Sequence, residues 1–237
     1  MVDKLVMVFV KLLQALLRKL SPADNLGVAA TEPASTCFGF DRGTPIDRYY
    51  IEKFFRENGS LIRGEVLEVG DSTYSKKFNR GGVESFNVLQ HRALGVGKAS
   101  IIGDLTDTST LPADAFDCFI CHQTLQYTFE LRKAVEGAHY LLKPGGVLLA
   151  TVPGISQISR YDAERYGEYW RFTTDSMIKL FQPVFGGGVE VESFGNVLSA
   201  TAFLQGIALE DLPDSSLLDK VDRDYQVIIS VIARKAE

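Results

Sequence analysis

The residues of this chain whose types suit chemistry follow short apolar runs. They comprise an acid, a glycine, a second acid, an amide, a third acid and a histidine: Glu68, Gly70, Asp71, Asn87, Asp104 and His122. Ligands of an open α/β sheet bind outside the carboxyl ends of its strands, so we expect these residues to meet at one edge. A glycine there allows a ligand to lie directly against the main chain. The pattern indicates a site for a nucleotide-type ligand.

The elements that would position these residues alternate between strand-like and helical segments. Apolar or alternating runs predict seven strands, at 65–70, 82–88, 99–102, 116–121, 147–152, 189–194 and 225–232. Helical spacing of apolar residues marks 131–142 and 174–181, and Thr44-Pro45 resembles a helix start with a capping hydroxyl. We therefore predict a doubly wound, Rossmann-like α/β fold with seven strands, the last of them antiparallel.

Composition excludes several classes of protein. The chain has 237 residues, 46% hydrophobic and 23% charged, which is an ordinary globular composition. Its formal net charge of −5 argues against a nucleic-acid partner, since neutralising phosphates requires a basic excess. Three cysteines do not form a disulfide framework, so a reducing, cytoplasmic location is expected.

The segment Cys118-Phe119-Ile120-Cys121-His122 matches the C-x-x-C-H pattern of haem attachment. It lies within an apolar strand, where residues three apart point to opposite faces. The sequence offers no second pair of cysteines or histidines for zinc. We therefore expect buried structural thiols and no metal site.

Residues 1–20 predict an amphipathic helix ahead of the sheet. The run 5–20 is apolar except for a narrow polar stripe, in which Lys4, Lys11 and Arg18 recur at intervals of seven. It is too short and too interrupted to cross a bilayer. The helix could lie at a membrane surface, or its apolar face could pack on the domain or on a second subunit. Residues 21–44 read as a linker and 45–237 as the main domain.

A dinucleotide site would require the spacing G-x-G-x-x-G after the first strand. Only Gly70 is present there, so an NAD-type enzyme is the weaker interpretation.

Three segments in order carry a family resemblance. Gly103-Asp104-Leu105, then Phe116-Asp117, then 142–146 (Leu-Lys-Pro-Gly-Gly) resemble the class I S-adenosylmethionine-dependent methyltransferases, from about residue 60 to the C-terminus. The likeness is greatest to small methyltransferase-like proteins associated with bacterial glycan and natural-product genes. Those proteins have similar Pro-Ile-Asp-Arg-Tyr-Tyr and Tyr-Trp-Arg-Phe-Thr segments, found here at 45–50 and 169–173.

The resemblance implies S-adenosylmethionine as the cofactor and assigns its methionine half to the first strand. Glu68 and Gly70 would approach that half, with Asp71 beside them. His122 would line the cleft in which the methyl group is transferred. The cofactor's methyl is electrophilic, so the protein must orient and desolvate the reactants and deprotonate the acceptor.

The resemblance assigns the nucleoside half to the next two strands. Asn87 would face the ribose hydroxyls, and Val88 would lie against the adenine. Asp104 would accept a hydrogen bond from the adenine amino group, while Leu105 would pack on the ring.

Two departures from the family pattern leave an alternative open. The family's glycine loop is commonly E-x-G-x-G-x-G, whereas its later glycine positions are here Ser72 and Tyr74. The usual acid of the second strand is replaced by the neutral Asn87, which can bond a diol without charge assistance. A catalytically silent, methyltransferase-like binding protein is therefore the second hypothesis.

The segment 159–172 after the fifth strand combines aromatic and charged residues. Long connections at the carboxyl edge of a sheet are commonly lids or binding loops. Tyr161, Asp162 and Arg171 are candidate catalytic residues, while Trp170 and Phe172 are expected to anchor the loop in the core. The mixture suits a small-molecule or saccharide acceptor.

For methyl transfer to an oxygen, either His122 or Asp162 could act as the base. A histidine that only supports the site, or lies in the core, is the alternative for His122. The sequence therefore predicts transfer of a methyl group to an oxygen or nitrogen of a small-molecule or glycan-type acceptor.

Overall fold

The computed structural model describes residues 2–20, 31–91 and 100–237. Their contacts divide the chain into two compact units. One consists of Met1–Glu52, Ile155–Ser159 and Phe194–Ile228, and the other of Lys53–Gly154, Arg160–Ser193 and Ile229–Glu237. The proposed division into 1–20, 21–44 and 45–237 groups the residues differently and stays a prediction. Residues 21–30 of the predicted linker lie outside the described part of the chain.

A seven-stranded sheet belongs almost entirely to the second unit. Its strands are β1 (Gly64–Val69), β2 (Val83–Gln90), β3 (Ile101–Ile102), β4 (Phe116–His122), β5 (Leu142–Pro153), β6 (Val189–Phe194) and β7 (Ile228–Arg234). The strand order is β3-β2-β1-β4-β5-β7-β6, with the pairs of the first five strands parallel. The predicted doubly wound fold is confirmed.

The last strand runs against its neighbour β6. The amide of Val227, just before β7, donates to the carbonyl of Phe194, and the amide of Arg234 donates to the carbonyl of Gly188. Residue numbers rise along one strand as they fall along the other, which is the antiparallel pattern. The predicted antiparallel last strand is confirmed.

The central strands are buried along their apolar runs. Val66 and Leu67 of β1 and Cys118 and Phe119 of β4 have no exposed surface, and Val66 lies opposite Cys118 in the parallel register. Continuous apolar runs are typical of parallel strands covered on both faces. This rigid centre fixes where the carboxyl ends of the strands come out.

Seven helices accompany the sheet in the described residues. They are α1 (Val2–Leu20), α2 (Ile46–Glu57), α3 (Thr73–Phe78), α4 (Leu131–Leu141), α5 (Arg160–Tyr166), α6 (Thr174–Phe185) and α7 (Val197–Leu204). No helix of the described residues is both long enough and apolar enough to cross a membrane. Thr173 caps α6, since its hydroxyl accepts a hydrogen bond from the Ser176 amide at 3.2 Å.

The predicted cap of α2 is wrong. The hydroxyl of Thr44 donates to Glu210 Oε1 at 2.9 Å instead of accepting from the helix. The Thr44 amide donates to the same carboxylate at 2.7 Å, and Pro45 forms an antiparallel bridge with Ala208. A tertiary contact thus takes the groups that a local cap would use.

Strand ends differ most from the sequence-based prediction. β2 continues to Gln90, two residues beyond the predicted end, because Leu89 and Gln90 pair with Ile101 and Ile102 of β3. β5 begins at Leu142 and not at 147. Residue 99, predicted as the start of β3, lies outside the described residues.

Candidate functional site

The turn after β1 leaves the main chain open. Gly70 is exposed and has a φ of +86°, and a Cβ built on it would meet no atom within 4 Å. Positive φ is costly for residues with a side chain, and glycine adopts it freely. The Gly70 carbonyl accepts a hydrogen bond from the Gln90 side chain at 3.2 Å. A ligand therefore has room to lie against the backbone at this point.

Glu68 stabilises this turn from the protein interior. Its side chain has no exposed surface, and its two oxygens accept hydrogen bonds from the amides of Tyr74 at 3.0 Å and Ser75 at 2.8 Å. Asp71 is exposed, and its Oδ1 accepts from the Thr73 amide at 2.7 Å. Glu68 therefore shapes the loop through which the main chain meets a ligand, and its side chain does not line the surface.

Burial raises the pKa of Glu68, and hydrogen bonds from Ser75 and Tyr74 offset part of that rise. Above the ordinary value near 4.5, the unfolded chain releases this proton while the folded chain retains it. The free energy of unfolding of the wild type should then fall, relative to Glu68→Gln, as pH rises from 4.5 to the folded pKa. Urea unfolding of both proteins between about pH 4 and 8 measures this difference. A wild-type free energy of unfolding that rises with pH, relative to that of Glu68→Gln, would contradict the prediction.

Tyr74 does not block the open turn, although it stands where the family has a glycine. Its ring is 9% exposed and packs against His122, with ring centroids 4.2 Å apart, and against Phe55 at 5.0 Å and Phe78 at 5.8 Å. The aromatic ring thus turns into the interior, while its amide still serves Glu68. The departure from the glycine pattern leaves the space at Gly70 free.

Asn87 is not at the carboxyl end of β2, so its predicted placement at the strand end is wrong. Its amide donates to Ser85 Oγ at 2.6 Å and to Glu65 Oε2 at 3.3 Å, within the strand. The strand ends at Gln90, twenty residues after Gly70. That spacing is where a ribose-binding residue is expected. Sequence reasoning missed Gln90 because it ended the strand too early.

Asp104 occupies a fixed and partly open position after β3. One carboxylate oxygen accepts from the amide and the hydroxyl of Thr106, each at 2.8 Å. The other lies 3.7 Å from His91 Nδ1, and the Asp104 side chain is 39% exposed. The carboxylate can therefore still accept a hydrogen bond from a ligand amino group.

Val88 and Leu105, the two residues expected to contact the adenine ring, differ in burial. Val88 is half-buried, and its amide donates to Ser100 Oγ at 3.3 Å. Leu105 is only 7% exposed and belongs to the core cluster of the second unit. The expectation that Leu105 packs on a ligand ring is therefore not supported by its burial.

His122 ends β4 beside the Gly70 turn. Its side chain is 18% exposed, and its Nε2 lies 3.9 Å from Glu68 Oε1. Tyr74 covers one side of the imidazole. A partly exposed imidazole at the end of a strand is a suitable group for accepting a proton.

Two glutamines follow β4, and sequence reasoning missed the second of them, Gln126. Gln126 is buried, and its Nε2 donates to Gln123 Oε1 at 3.3 Å. Gln123 Nε2, Gln126 Oε1 and the buried Thr151 Oγ1 have no hydrogen-bond partner among the described residues. Gln123 also has a φ of +45°, which is uncommon for a residue with a side chain. Unpaired buried polar atoms are costly, so a polar ligand would stabilise this place.

The candidate residues after β5 have partners of their own. Asp162 Oδ2 accepts a hydrogen bond from the Tyr127 hydroxyl at 3.2 Å, and burial, followed by the Asp162 charge, raises the pKa of Tyr127. Arg171 Nη2 lies 2.7 Å from Glu168 Oε1, and the Glu168 side chain is 4% exposed. Tyr161 is 67% exposed. These contacts provide paired polar groups along one segment.

The aromatic anchors of this segment lie as expected. Phe172 is 5% exposed and belongs to the core cluster, and Trp170 packs against that cluster. The indole of Trp170 donates to the Thr128 carbonyl at 3.0 Å.

Two of the three cysteines lie in the interior, as the sequence predicts. Cys118 and Cys121 are buried free thiols, and burial raises the pKa of Cys121 to about 12. Within the described residues, no group of His, Cys, Asp or Glu is arranged to hold a metal ion.

A small pocket lies at the opposite, amino end of the strands. It has a volume of about 130 Å³ and is lined by Leu61, Arg63, Asp117, Pro144, Gly145, Gly146, Val147 and Arg234. None of the predicted site residues lines it, so the strand carboxyl ends remain the candidate site.

Comparison with known families agrees with this geometry. Residues 82–150 match the family model of a methyltransferase domain. This match covers under a third of the chain and agrees there with the resemblance to S-adenosylmethionine-dependent methyltransferases. The matched methyltransferase segment contains Gln90, Asp104 and His122 but begins after Gly70. No curated protein shows significant sequence similarity to the chain.

Solved structures share the methyltransferase fold at low sequence identity. An S-adenosylmethionine-dependent methyltransferase from Mesorhizobium loti is 18% identical with a TM-score of 0.51, over 80% of this chain and 100% of that one. One from Archaeoglobus fulgidus is 13% identical with a TM-score of 0.51, over 79% and 94%. The 4+2 cyclase SpnF is 16% identical with a TM-score of 0.52, over 79% and 81%.

Proposed function

We propose that this protein transfers a methyl group from S-adenosylmethionine to an oxygen or nitrogen of a small-molecule or glycan-type acceptor. The observation that carries the proposal is the open turn at Gly70, where a positive φ and free space expose the main chain. Glu68 fixes that turn from inside, and His122 lies next to it. The family-model match over residues 82–150 and the fold shared with solved methyltransferases support the proposal.

The residues at the strand ends fit the proposed cofactor in part. The Gly70 main chain would contact the methionine half of the cofactor. Asp104 would accept a hydrogen bond from the adenine amino group. Gln90 replaces Asn87 as the residue for the ribose hydroxyls, because it stands at the end of β2. A neutral amide there bonds a diol more weakly than a carboxylate does.

When bound, the cofactor supplies an electrophilic methyl group on a sulfonium centre. The protein's own tasks are to hold the acceptor in line, to exclude water and to take the acceptor's proton. His122 is the proposed base, since its imidazole is partly exposed at the end of β4. The Glu68 carboxyl group, 3.9 Å away, would face the positive charge that proton transfer leaves on the ring.

The acceptor would contact the segment that follows β5. That segment combines aromatic and charged side chains. Asp162 accepts a hydrogen bond from Tyr127, and Arg171 forms an ion pair with Glu168. Paired polar groups beside exposed rings such as Tyr161 suit a hydroxylated, ring-shaped molecule. The buried, unpaired amide atoms of Gln123 and Gln126 would add hydrogen bonds at the same carboxyl edge.

A binding protein without methyl-transfer activity is the second candidate. Two observations favour it: a single glycine in the turn, and the neutral Gln90 at the end of β2. SpnF, which shares the fold, is named as a cyclase, so the fold by itself does not fix the reaction.

Calorimetric titration with S-adenosylmethionine and S-adenosylhomocysteine tests the proposal. We expect micromolar binding that Asp104→Ala and Gln90→Ala each weaken about tenfold, the worth of one lost hydrogen bond to a ligand. Asn87→Ala is the matched control and should change affinity less than about twofold, since Asn87 bonds within the strand.

Binding by the wild type would justify a screen of saccharide and small-molecule acceptors with labelled cofactor. If neither nucleotide binds at millimolar concentration, the methyltransferase proposal fails and the binding protein is favoured. If Asn87→Ala weakens binding more than Gln90→Ala does, the assignment of the ribose site to Gln90 is wrong.

A further inference from the structure

Helix α1 is attached to the protein through its polar side. Gln14 Nε2 donates to the Phe40 carbonyl at 3.0 Å, and an Arg18 guanidinium nitrogen donates to the Arg42 carbonyl. Both contacts lie within the first unit. These two residues are four apart and therefore share one face of the helix.

The opposite side of α1 is apolar and exposed. Its large hydrophobic side chains are 45–71% exposed: Val6, Phe9, Val10, Leu12, Leu13, Leu16 and Leu20. Most are spaced by three or four residues, so they form one continuous stripe. Scattered exposed apolar residues are normal on a protein surface, but a continuous stripe of this kind marks an interaction site.

Charge decides between the candidate occupants of this stripe. Residues 6–20 contain Lys11, Arg18 and Lys19 and no acid, in a chain whose net charge is −5. Lys11 and Lys19 are both exposed. Lys19 borders the stripe, whereas Lys11 is seven residues from Arg18 and shares its polar side of the helix. A basic, strongly amphipathic helix is attracted to anionic lipid while its apolar face enters the boundary between headgroups and acyl chains.

A second copy of the chain complements this helix less well. Pairing two such stripes would bring together two helices that each carry a net positive charge over residues 6–20. Residues 6–20 offer no acid to pair with Lys19 at the edge of the stripe, so the two helices would repel each other.

We propose that α1 binds the surface of an anionic lipid bilayer with this apolar stripe. The helix lies in the plane of the bilayer surface. Its polar side contacts the rest of the first unit through Gln14 and Arg18. The exposed Lys19 at the edge of the stripe contacts lipid phosphates and carboxylates. This inference is independent of methyl transfer and of the acceptor.

Flotation of the full-length protein with vesicles tests the inference. We expect binding to phosphatidylcholine vesicles containing about 30% phosphatidylserine, and a sharp loss of binding in pure phosphatidylcholine. Lys19→Gln should weaken binding about fivefold, and Lys11→Gln, on the Arg18 side of the helix, should weaken it less. Binding should also weaken as salt is raised.

Two further variants separate the apolar stripe from general surface hydrophobicity. The double variant Leu12→Glu, Leu16→Glu should weaken binding at least tenfold, since both side chains would enter the boundary between headgroups and acyl chains. Val221→Glu changes a 50% exposed apolar residue outside α1 and should bind as the wild type does. Far-UV circular dichroism checks that the helix is retained, and Leu12→Gln with Leu16→Gln replaces the pair if it is not.

Light scattering after size exclusion measures the competing occupant. A wild-type dimer that Leu12→Glu with Leu16→Glu converts to monomer, together with no vesicle binding, would assign the stripe to a second copy and overturn the inference. Equal binding to neutral and anionic vesicles would overturn the charge argument. A monomer that binds neither vesicle would also refute the proposal.

Discussion

Gly70→Val is expected to abolish binding of S-adenosylhomocysteine while leaving the protein folded. The branched side chain would occupy the free space in which we place the ligand, so a loss of at least about 100-fold is expected, close to 2.7 kcal/mol. The positive φ of Gly70 adds strain of roughly 1–2 kcal/mol to the folded state, because a Cβ approaches the carbonyl oxygen there. Calorimetry measures the first effect and thermal unfolding the second.

Gly81→Val is the matched control for this experiment. Gly81 has a φ of +95° and, like Gly70, has no atom within 4 Å of an added Cβ. It lies between α3 and β2, away from the strand carboxyl ends. The two variants should lose similar stability, but only Gly70→Val should lose the ligand. Equal loss of affinity in both would show that backbone strain, and not a site at Gly70, controls binding.

Asp211→Ala is expected to be strongly destabilising. Arg42 donates to Asp211 through Nε at 2.8 Å and through Nη2 at 3.1 Å, and the two side chains are 2% and 4% exposed. Removing one partner of a buried pair leaves the other charge desolvated, at a cost of about 3–5 kcal/mol. For a chain of this length, that corresponds to a drop of roughly 10 °C in melting temperature. Calorimetric unfolding measures both quantities.

Two controls make the Asp211 experiment specific. The double variant Arg42→Met, Asp211→Leu removes both charges and should recover most of the lost stability, since apolar residues of similar size suit a buried position. Glu136→Ala breaks an exposed pair with Arg132 and should cost less than about 1 kcal/mol. If Asp211→Ala cost as little as Glu136→Ala, the buried pair would not be a stabilising contact.

The sequence predicted most of the fold because its signals are local. Apolar runs bounded by glycine and polar residues marked all seven strands, and β6 has the predicted bounds of Val189–Phe194. Buried parallel strands are apolar in any arrangement, so their presence can be read without knowing their neighbours. The thiols of Cys118 and Cys121 were placed correctly for the same reason.

The site was predicted less well because strand ends are set by pairing. Asn87 is an amide near the end of an apolar run, but Gln90 is the residue that reaches the carboxyl edge. The true end of β2 is set by its pairing with β3, because the two residues of β3 pair with Leu89 and Gln90 and so extend β2. A separation of two or three residues along a strand is enough to move a side chain from the edge into the strand.

Burial separated residues that the sequence treats alike. Glu68 and Asp104 are both acids after apolar runs, but Glu68 is fully buried beneath the start of α3, whereas Asp104 is 39% exposed. Only the path of the chain after each strand decides which carboxylate meets backbone amides and which meets solvent. The same holds for Tyr74, whose ring fills the interior behind His122 instead of the space at Gly70.

The sequence by itself determined the alternation of strands and helices, the amphipathic character of α1 and the glycine that opens the first turn. Those properties follow from the period of apolar residues and from the freedom of glycine, which are local. The tertiary structure alone decided which polar residue ends β2, which acid is buried and which face of α1 is left exposed. Those outcomes depend on strand register and on contacts such as Gln14 with Phe40, between residues distant in the chain.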